Sequence, residues 1–273
     1  MKLVDALVLA VLQGITEFFP ISSSGHLVLL QHVLGLHDVP ILYDLILHLG
    51  TTIAVIVVYR NVIGEILRDF VLWVVKGKGE KWDMNQRGSL RLLLYICIAV
   101  GVTGVLGILC KDVLEGFYYR PQYVPLFLTF TGMILLITFF IHGGEKGIES
   151  TPFIYPFIIG AAQAFAILPG VSRSGTTIAA GLFMGAQRAF AATFSFLIAI
   201  PSVFGASLYE YLKTYETLNM MIDYRYLLFA FAVSLLSGYA ALRLLIRFVM
   251  KGKIYLFSFY CFAASIASIF LIK

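Results

Sequence analysis

The chain is short of charge. Asp, Glu, Lys and Arg make up only 13% of its 273 residues, about half the share of a soluble domain. So few charged groups cannot clothe a water-facing surface, which excludes a soluble globular protein. Cysteine is scarce too. Cys97, Cys110 and Cys261 are odd in number and lack metal-ligand spacing, which excludes a disulfide framework or a zinc ribbon. They read as small buried hydrophobes. What is abundant is hydrocarbon: 60% of residues are hydrophobic and the mean hydropathy is +0.92. The chain reads as an integral membrane protein with no appended soluble domain. Its net charge of +5 fits loops beside anionic lipid, not nucleic-acid binding. Lys2, an apolar run and the small residues 22–25 imitate a signal peptide. The pattern recurs in mid-chain, so it reads as mature structure.

That recurrence is specific. "LQGITEFFPISSSGHL" (12–27) lies over "AQAFAILPGVSRSGTT" (162–177) without a gap. Gln13 meets Gln163, and Ser22, Ser24 and Gly25 meet Ser172, Ser174 and Gly175. Ser23 meets Arg173, and His26 meets Thr176. A duplication explains a shared S-x-S-G and a shared Gln at one offset.

A membrane-crossing helix needs about 20 apolar residues. The runs 41–60, 91–110, 123–141, 189–209, 224–246 and 254–272 reach that length. The motif regions do not. Residues 3–18 and 26–35 are each too short, as are 153–168 and 176–186, with a polar, helix-breaking stretch inside each pair. Each pair reads as a re-entrant hairpin. The expected fold is an all-α polytopic membrane protein of one domain, 1–273. It contains two inverted-topology repeats, 1–141 and 153–273, each a re-entrant helical hairpin plus three transmembrane helices. Three spans are an odd number, so the second repeat is upside down.

The side holding the N-terminus collects Lys2, Lys111, Arg120, Lys213, Arg225 and Lys273. The other side collects the remaining Lys and Arg, except Arg173, which sits within a hairpin. The richer side is expected to be cytoplasmic, with both termini outside. The loop "KGKGEKWDMNQRGS" (76–89) is then a solvated cytoplasmic loop.

Polar groups in hydrocarbon are costly and usually functional. Gln13 and Glu17 are one turn apart on one helix face. They read either as a structural pair or as ligands of a hard cation, with Glu17 also able to move a proton. Ser22, Ser23, Ser24 and Gly25 open a helix N-terminus, a place that welcomes phosphate. Ser172, Arg173, Ser174, Gly175, Thr176 and Thr177 repeat the design and add a guanidinium fork suited to phosphate oxygens. Arg173 could equally pair with Glu17, and the two readings are compatible. His26, near these groups, is a candidate acid, base or nucleophile. Asp44 and His48, one turn apart on a span, read as second-shell partners or as merely structural. Two facing half-helix N-termini would form an electropositive cup that suits a diphosphate.

At these residues the sequence resembles the undecaprenyl-diphosphate phosphatases of the bacitracin-resistance type. The family motif (E/Q)-x-x-x-E is matched by "QGITE" (13–17), and F-x-P-[IV]-S-S-[ST]-G-H by "FFPISSSGH" (18–26). The second motif, P-G-x-S-R-S-x-x-T, is matched by "PGVSRSGTT" (169–177). Many relatives carry Glu where this chain has Gln13. The resemblance implies a plasma-membrane hydrolase that removes the terminal phosphate of undecaprenyl diphosphate and recycles the carrier for cell-wall synthesis. It implies catalytic roles for Glu17, Ser23, His26 and Arg173. It also implies a divalent cation, Mg²⁺ or Ca²⁺, at Glu17 and Gln13. Ser23 is the favoured nucleophile with His26 as its base, and direct attack by His26 is the alternative. The expected partners are the polyprenyl diphosphate and membrane lipid, not nucleic acid, with a homodimer as the assembly to test. A lipid-carrier transporter using the same cup is the rival class.

Overall fold

The computed structural model describes residues 3–33, 35, 41–76, 84–118, 120–141, 143–214 and 224–272. Residues 77–83 of the basic loop, together with Lys2 and Lys273 from the charge count, lie outside these. Among the described residues twelve α-helices follow one another: α1 (Leu3–Phe18), α2 (Ser23–Val33), α3 (Ile41–Val58), α4 (Arg60–Lys76), α5 (Met84–Leu109), α6 (Lys111–Tyr118), α7 (Val124–Ile137), α8 (Tyr155–Phe165), α9 (Arg173–Phe183), α10 (Arg188–Thr214), α11 (Tyr224–Met250) and α12 (Leu256–Leu271). Among the described residues there is no strand, only a single bridge between Lys146 and Ala186.

Among the described residues four stretches are long and apolar enough to cross a membrane: Met84–Leu109, Pro121–Phe140, Arg188–Lys213 and Arg225–Met250. A fifth is available if α3 and α4 count as one bent span. The protein is thus a multi-pass membrane protein. The run read as 41–60 does not simply end. The chain turns by 77° and continues as α4. Arg60, Glu65, Arg68 and Asp69 lie on that continuation, and such charges resist following the span axis into hydrocarbon. Residues 84–89, read as loop, are the start of α5. The cysteine reading holds only for Cys261. Cys97 and Cys110 lie on the exposed surface, where apolar side chains meet lipid instead of core.

Both motif regions form two short helices around a break. Pro20 and Pro169 each stop a helix, because proline lacks the N–H and disfavours a helical residue before it. α1 therefore ends at Phe18 and α8 at Phe165. The next helix starts as soon as a serine can cap it. Ser172 caps α9 through Gly175 N, and Ser22 accepts from Gly25 N in the same way. The serine-rich stretches are thus first turns of helices, as their capping residues suggested.

Small residues let these half-helices lie deep among the spans. A Cβ on Gly14 of α1 would sit 2.8 Å from the Ser234 carbonyl oxygen of α11. A Cβ on Gly160 of α8 would sit 2.5 Å from the Ala99 carbonyl oxygen of α5. α7 and α12 pair along their length, joined by Thr129 and Ser265 at 2.9 Å. The largest core cluster joins Phe18 and Ile21 of the first break to Ile178 and Leu182 of α9 and to Phe196 of α10.

The segment before α8 is fastened to the far end of α9. Gly144 N donates to Ala186 O at 3.2 Å, Gln187 N to Lys146 O at 2.9 Å and Lys146 Nζ to Met184 O at 3.1 Å. Arg91 adds hydrogen bonds to the carbonyls of Glu149 and Thr151, at 2.7 and 2.6 Å.

Candidate active site

The two breaks touch. Ser22 Oγ accepts from Gly25 N at 3.2 Å and from Gly170 N, across in the second break, at 3.0 Å. A Cβ on Gly25 would lie 2.9 Å from Gly170 Cα, so only glycine permits this approach. In return, Ser174 Oγ donates to the Phe18 carbonyl at 2.8 Å, satisfying the C-terminus of α1. Gly175 packs on Pro20, with 3.1 Å left for a Cβ against the proline ring. Thr131 of α7 holds the second break in place. It donates to Gly170 O at 2.9 Å and accepts from Ser172 N at 3.0 Å. The breaks differ in one respect. Ser22 has φ +69°, a left-handed conformation uncommon for serine, whereas Ser172 is extended. The first break spans fewer residues, so its capping serine must also make the turn.

Glu17 is the hub. Its Oε1 receives Arg173 Nη2 at 2.6 Å. Its Oε2 receives Ser23 Oγ at 2.7 Å and Gln13 Nε2 at 3.0 Å. Ser23 and Arg173 are the first residues of α2 and α9, and they coincide in the repeat alignment. The carboxylate at the end of α1 thus lies between two helix N-termini and a guanidinium. Opposite charges this close attract strongly, against the cost of withdrawing both from solvent. Arg173 Nη1 is buried without a hydrogen-bond partner, which leaves one prong of the fork able to take an anion.

Not every serine and threonine of the motifs faces that hub. Ser174 is committed to Phe18, and Thr177 Oγ1 bonds Arg173 O at 2.8 Å and Ser195 Oγ at 2.6 Å. Ser172 Oγ approaches Ser174 Oγ at 3.3 Å while capping Gly175. Thr176 Oγ1 is buried and unpaired. Ser24 Oγ lies 3.3 Å from Ser22 Oγ.

The hydrogen bonds of His26 lead away from Ser23. Its Nδ1 meets the Ser22 carbonyl at 2.8 Å, and its Nε2 meets the Tyr260 hydroxyl of α12 at 2.8 Å. The two rings stack with centroids 5.6 Å apart. A carbonyl only accepts, so Nδ1 carries the proton, and in the neutral ring Nε2 accepts from Tyr260. Tyr260 also lines an open apolar cavity of about 860 Å³ together with Phe19, Ile21, Phe248 and Phe257. His26 therefore stands beside the wall between the polar breaks and a lipid-like groove.

His48 Nδ1 bonds the Asp44 backbone carbonyl at 2.8 Å, not its carboxylate. The ring lies within electrostatic reach of Glu17. Asp44 Oδ1 and Gln13 Oε1 are buried oxygens without a hydrogen-bond partner. Among the described residues no group of three or more His, Cys, Asp or Glu could hold a metal. A donor set of one carboxylate and one free amide oxygen does fit Mg²⁺, which draws most ligands from water and substrate phosphate.

Sequence reasoning missed Tyr260. It belongs to no motif, and helical spacing within one segment cannot reveal a partner 234 positions away.

Fold and site together define a class. This is a multi-pass helical membrane protein whose two polar helix breaks bring serine, carboxylate and guanidinium into one buried cluster. Within that class, the chain belongs to the bacitracin resistance protein BacA family, whose family model matches residues 6–267. It is 39% identical over 265 residues to an undecaprenyl-diphosphatase of Desulfosudis oleivorans, covering 96% of each chain. It is 38% identical to the undecaprenyl-diphosphatase of Alkaliphilus metalliredigens, covering 93% of each. It is 36% identical to that of Methanobrevibacter smithii, covering 97% of this chain and 96% of the relative.

Proposed function

We propose that this protein hydrolyses undecaprenyl diphosphate to undecaprenyl phosphate and inorganic phosphate, returning the carrier to cell-wall synthesis and so conferring bacitracin resistance. Family membership and the names of the relatives support the substrate. One observation carries the chemistry. Ser23 Oγ donates to Glu17 Oε2 at 2.7 Å while Arg173 holds Oε1 at 2.6 Å. A nucleophile, a proton acceptor and an anion clamp are thus joined in one bonded set.

In this mechanism the terminal phosphate sits between the N-termini of α2 and α9, with Arg173 on its oxygens. Ser23 Oγ attacks the terminal phosphorus and gives its proton to Glu17. The bond from that phosphorus to the bridging oxygen breaks, and undecaprenyl phosphate leaves. Glu17 passes that proton to the departing phosphate, then deprotonates a water that attacks the phosphoserine phosphorus, and returns the new proton to Ser23 Oγ as the P–O bond to serine breaks and inorganic phosphate leaves. Phosphoryl transfer depends mainly on positioning and charge stabilisation, which the two helix ends and Arg173 supply. A divalent cation would be held by Glu17 and Gln13 and would neutralise charge between the phosphates. The base assignment moves from His26, as read from the sequence, to Glu17, because the hydrogen bonds of His26 run to Ser22 and Tyr260. In this proposal His26 shapes the site beside the groove.

We also read the fold as two inverted repeats, 1–141 and 153–273, in the cell membrane. α1 packs on α11 as α8 packs on α5, and α7 packs on α12, which supports exchange of the halves. The excess of Lys and Arg supports a cytoplasmic loop at 76–89, with both termini and the site facing outward. A transporter of the carrier has no use for a serine bonded to a carboxylate and is the less favoured reading.

The test is purified protein in detergent with a C55 diphosphate, with and without chelator. Phosphate release that stops on chelation supports the reading. No release from folded protein, with lipid movement in vesicles, overturns it.

A further inference from the structure

We propose that a small cavity beside Glu17, lined by Thr51 and Thr52 of α3, holds the single water that hydrolyses the phosphoserine. The inference rests on the diphosphatase reading above and adds the place of its second nucleophile. The cavity measures about 10 Å³, the room one water needs. Its lining includes Glu17 and Arg173 of the hub, Thr51, Thr52 and Val55 of α3, and Ile200 of α10.

The polar atoms around it are set for one neutral guest. Among the described residues, Arg173 Nη1 is buried and has no hydrogen-bond partner. Glu17 Oε2 is filled by Ser23 and Gln13, whereas Oε1 accepts from Arg173 Nη2 and keeps a lone pair. Thr51 and Thr52 are 2% and 4% exposed. Each spends its proton on its own helix, donating to the His48 carbonyl at 2.9 and 2.8 Å. Toward the cavity both hydroxyls can therefore only accept. A cation there would meet the guanidinium, and an anion would meet the carboxylate. A water accepts from Arg173 Nη1 and donates to Glu17 Oε1 and to a threonine hydroxyl. Three hydrogen bonds are the usual number for a buried water.

The same bookkeeping suits that water to the reaction. Both its protons are held, one of them by the base, and its second lone pair stays free for phosphorus. Arg173 grips the water and the phosphoryl oxygens through one planar fork, which keeps the two close together. In the step, the water oxygen bonds to the phosphoserine phosphorus and the bond from phosphorus to Ser23 Oγ breaks. Glu17 takes the proton from the water and delivers it to Ser23 Oγ, and inorganic phosphate leaves. Thr51 and Thr52 touch neither substrate nor phosphoserine. They are positioning residues, acting through the water.

The experiment uses the double variant Thr51→Val and Thr52→Val in the full chain, which keeps nearly the same shape and removes both acceptors. Rapid quench with labelled C55 diphosphate follows the phosphoserine. Its decay should slow about tenfold, as for loss of one hydrogen bond, while its formation stays within about twofold of wild type. The pair Thr51→Ser and Thr52→Ser keeps the hydroxyls and should restore the wild-type decay. Equal slowing of both steps, as a merely structural role would give, overturns the proposal, and so does an unslowed decay. A second readout needs no variant. In dilute methanol a cavity sized for one water excludes the alcohol, so the wild-type phosphoserine should give inorganic phosphate and no methyl phosphate. Methyl phosphate formed in proportion to the methanol overturns the proposal. The two readings fail separately. Wild-type protein that releases no phosphate removes the diphosphatase reading, whereas phosphate release without any phosphoserine removes this proposal alone.

Discussion

His26 Nε2 and Tyr260 Oη are joined at 2.8 Å across 234 positions of sequence, and this bond turns the imidazole away from the serine three residues before it. The same ring is held at Nδ1 by the Ser22 carbonyl. In the proposed mechanism this histidine shapes the site and Glu17 takes the Ser23 proton.

The phosphoenzyme is therefore expected to be a phosphoserine. Trapping with labelled diphosphate should give an acid-stable adduct that disappears in Ser23→Ala. In His26→Ala the adduct should still form, more slowly. An acid-labile adduct lost in His26→Ala and retained in Ser23→Ala would assign the attack to the imidazole instead.

Arg173→Lys keeps a positive charge near Glu17 and loses the planar fork. Turnover should fall by about 10² to 10³, the range for losing one preorganised donor to a developing anion. Arg173→Ala should fold less well than Arg173→Lys, because it strands Glu17 as an unpaired buried carboxylate, costing about 3 kcal/mol or more. Phosphate release and detergent melting curves check the two parts. Near-normal turnover in Arg173→Lys would remove the fork from the mechanism.

Gly25→Ala tests the contact between the breaks. Its Cβ would meet Gly170 Cα at 2.9 Å and Gly170 N at 3.0 Å, both backbone atoms that cannot swing aside. Overpacking of this kind costs about 1–3 kcal/mol. The melting temperature should drop, and activity should fall further than stability alone requires. A variant with wild-type melting and turnover would mean the breaks can separate freely.

Gln13→Glu puts a second carboxylate beside Glu17, a turn away on the same face. Mg²⁺ binding, followed by calorimetry on substrate-free protein, should tighten, and activity should survive lower Mg²⁺ concentrations. The Nε2 bond from Gln13 to Glu17 is lost in exchange, so stability without metal should drop by about 1 kcal/mol. Unaltered Mg²⁺ affinity would separate position 13 from the metal.

Some of this was legible in the chain itself. Runs of about 20 apolar residues and Pro–Ser–Gly interruptions are local patterns, and they marked the two breaks and four of the six expected spans, whereas 41–60 leads into a 77° bend and the helix within 254–272, Leu256–Leu271, is too short to count. The Glu17–Arg173 pair was readable because two isolated charges in hydrocarbon need each other. The orientation of His26 was not, because it depends on a tyrosine of α12. Nor was the 77° turn after α3, since apolar residues continue past Arg60 and hide the change of direction. Ser174 and Thr177 looked like phosphate ligands because their spacing fits a helix N-terminus. They serve backbone carbonyls and Ser195, and only the packed neighbours reveal that.

The bond from Gly170 N to Ser22 Oγ has a consequence for biogenesis. During insertion, residue 22 leaves the ribosome long before residue 170. Until the later segment arrives, Ser22 lacks one of its donors, Phe18 lacks Ser174, and Glu17 has no arginine. A half-synthesised chain therefore holds a serine and a carboxylate but no working centre. The bonded cluster of the two breaks therefore forms only once the second half has threaded into place.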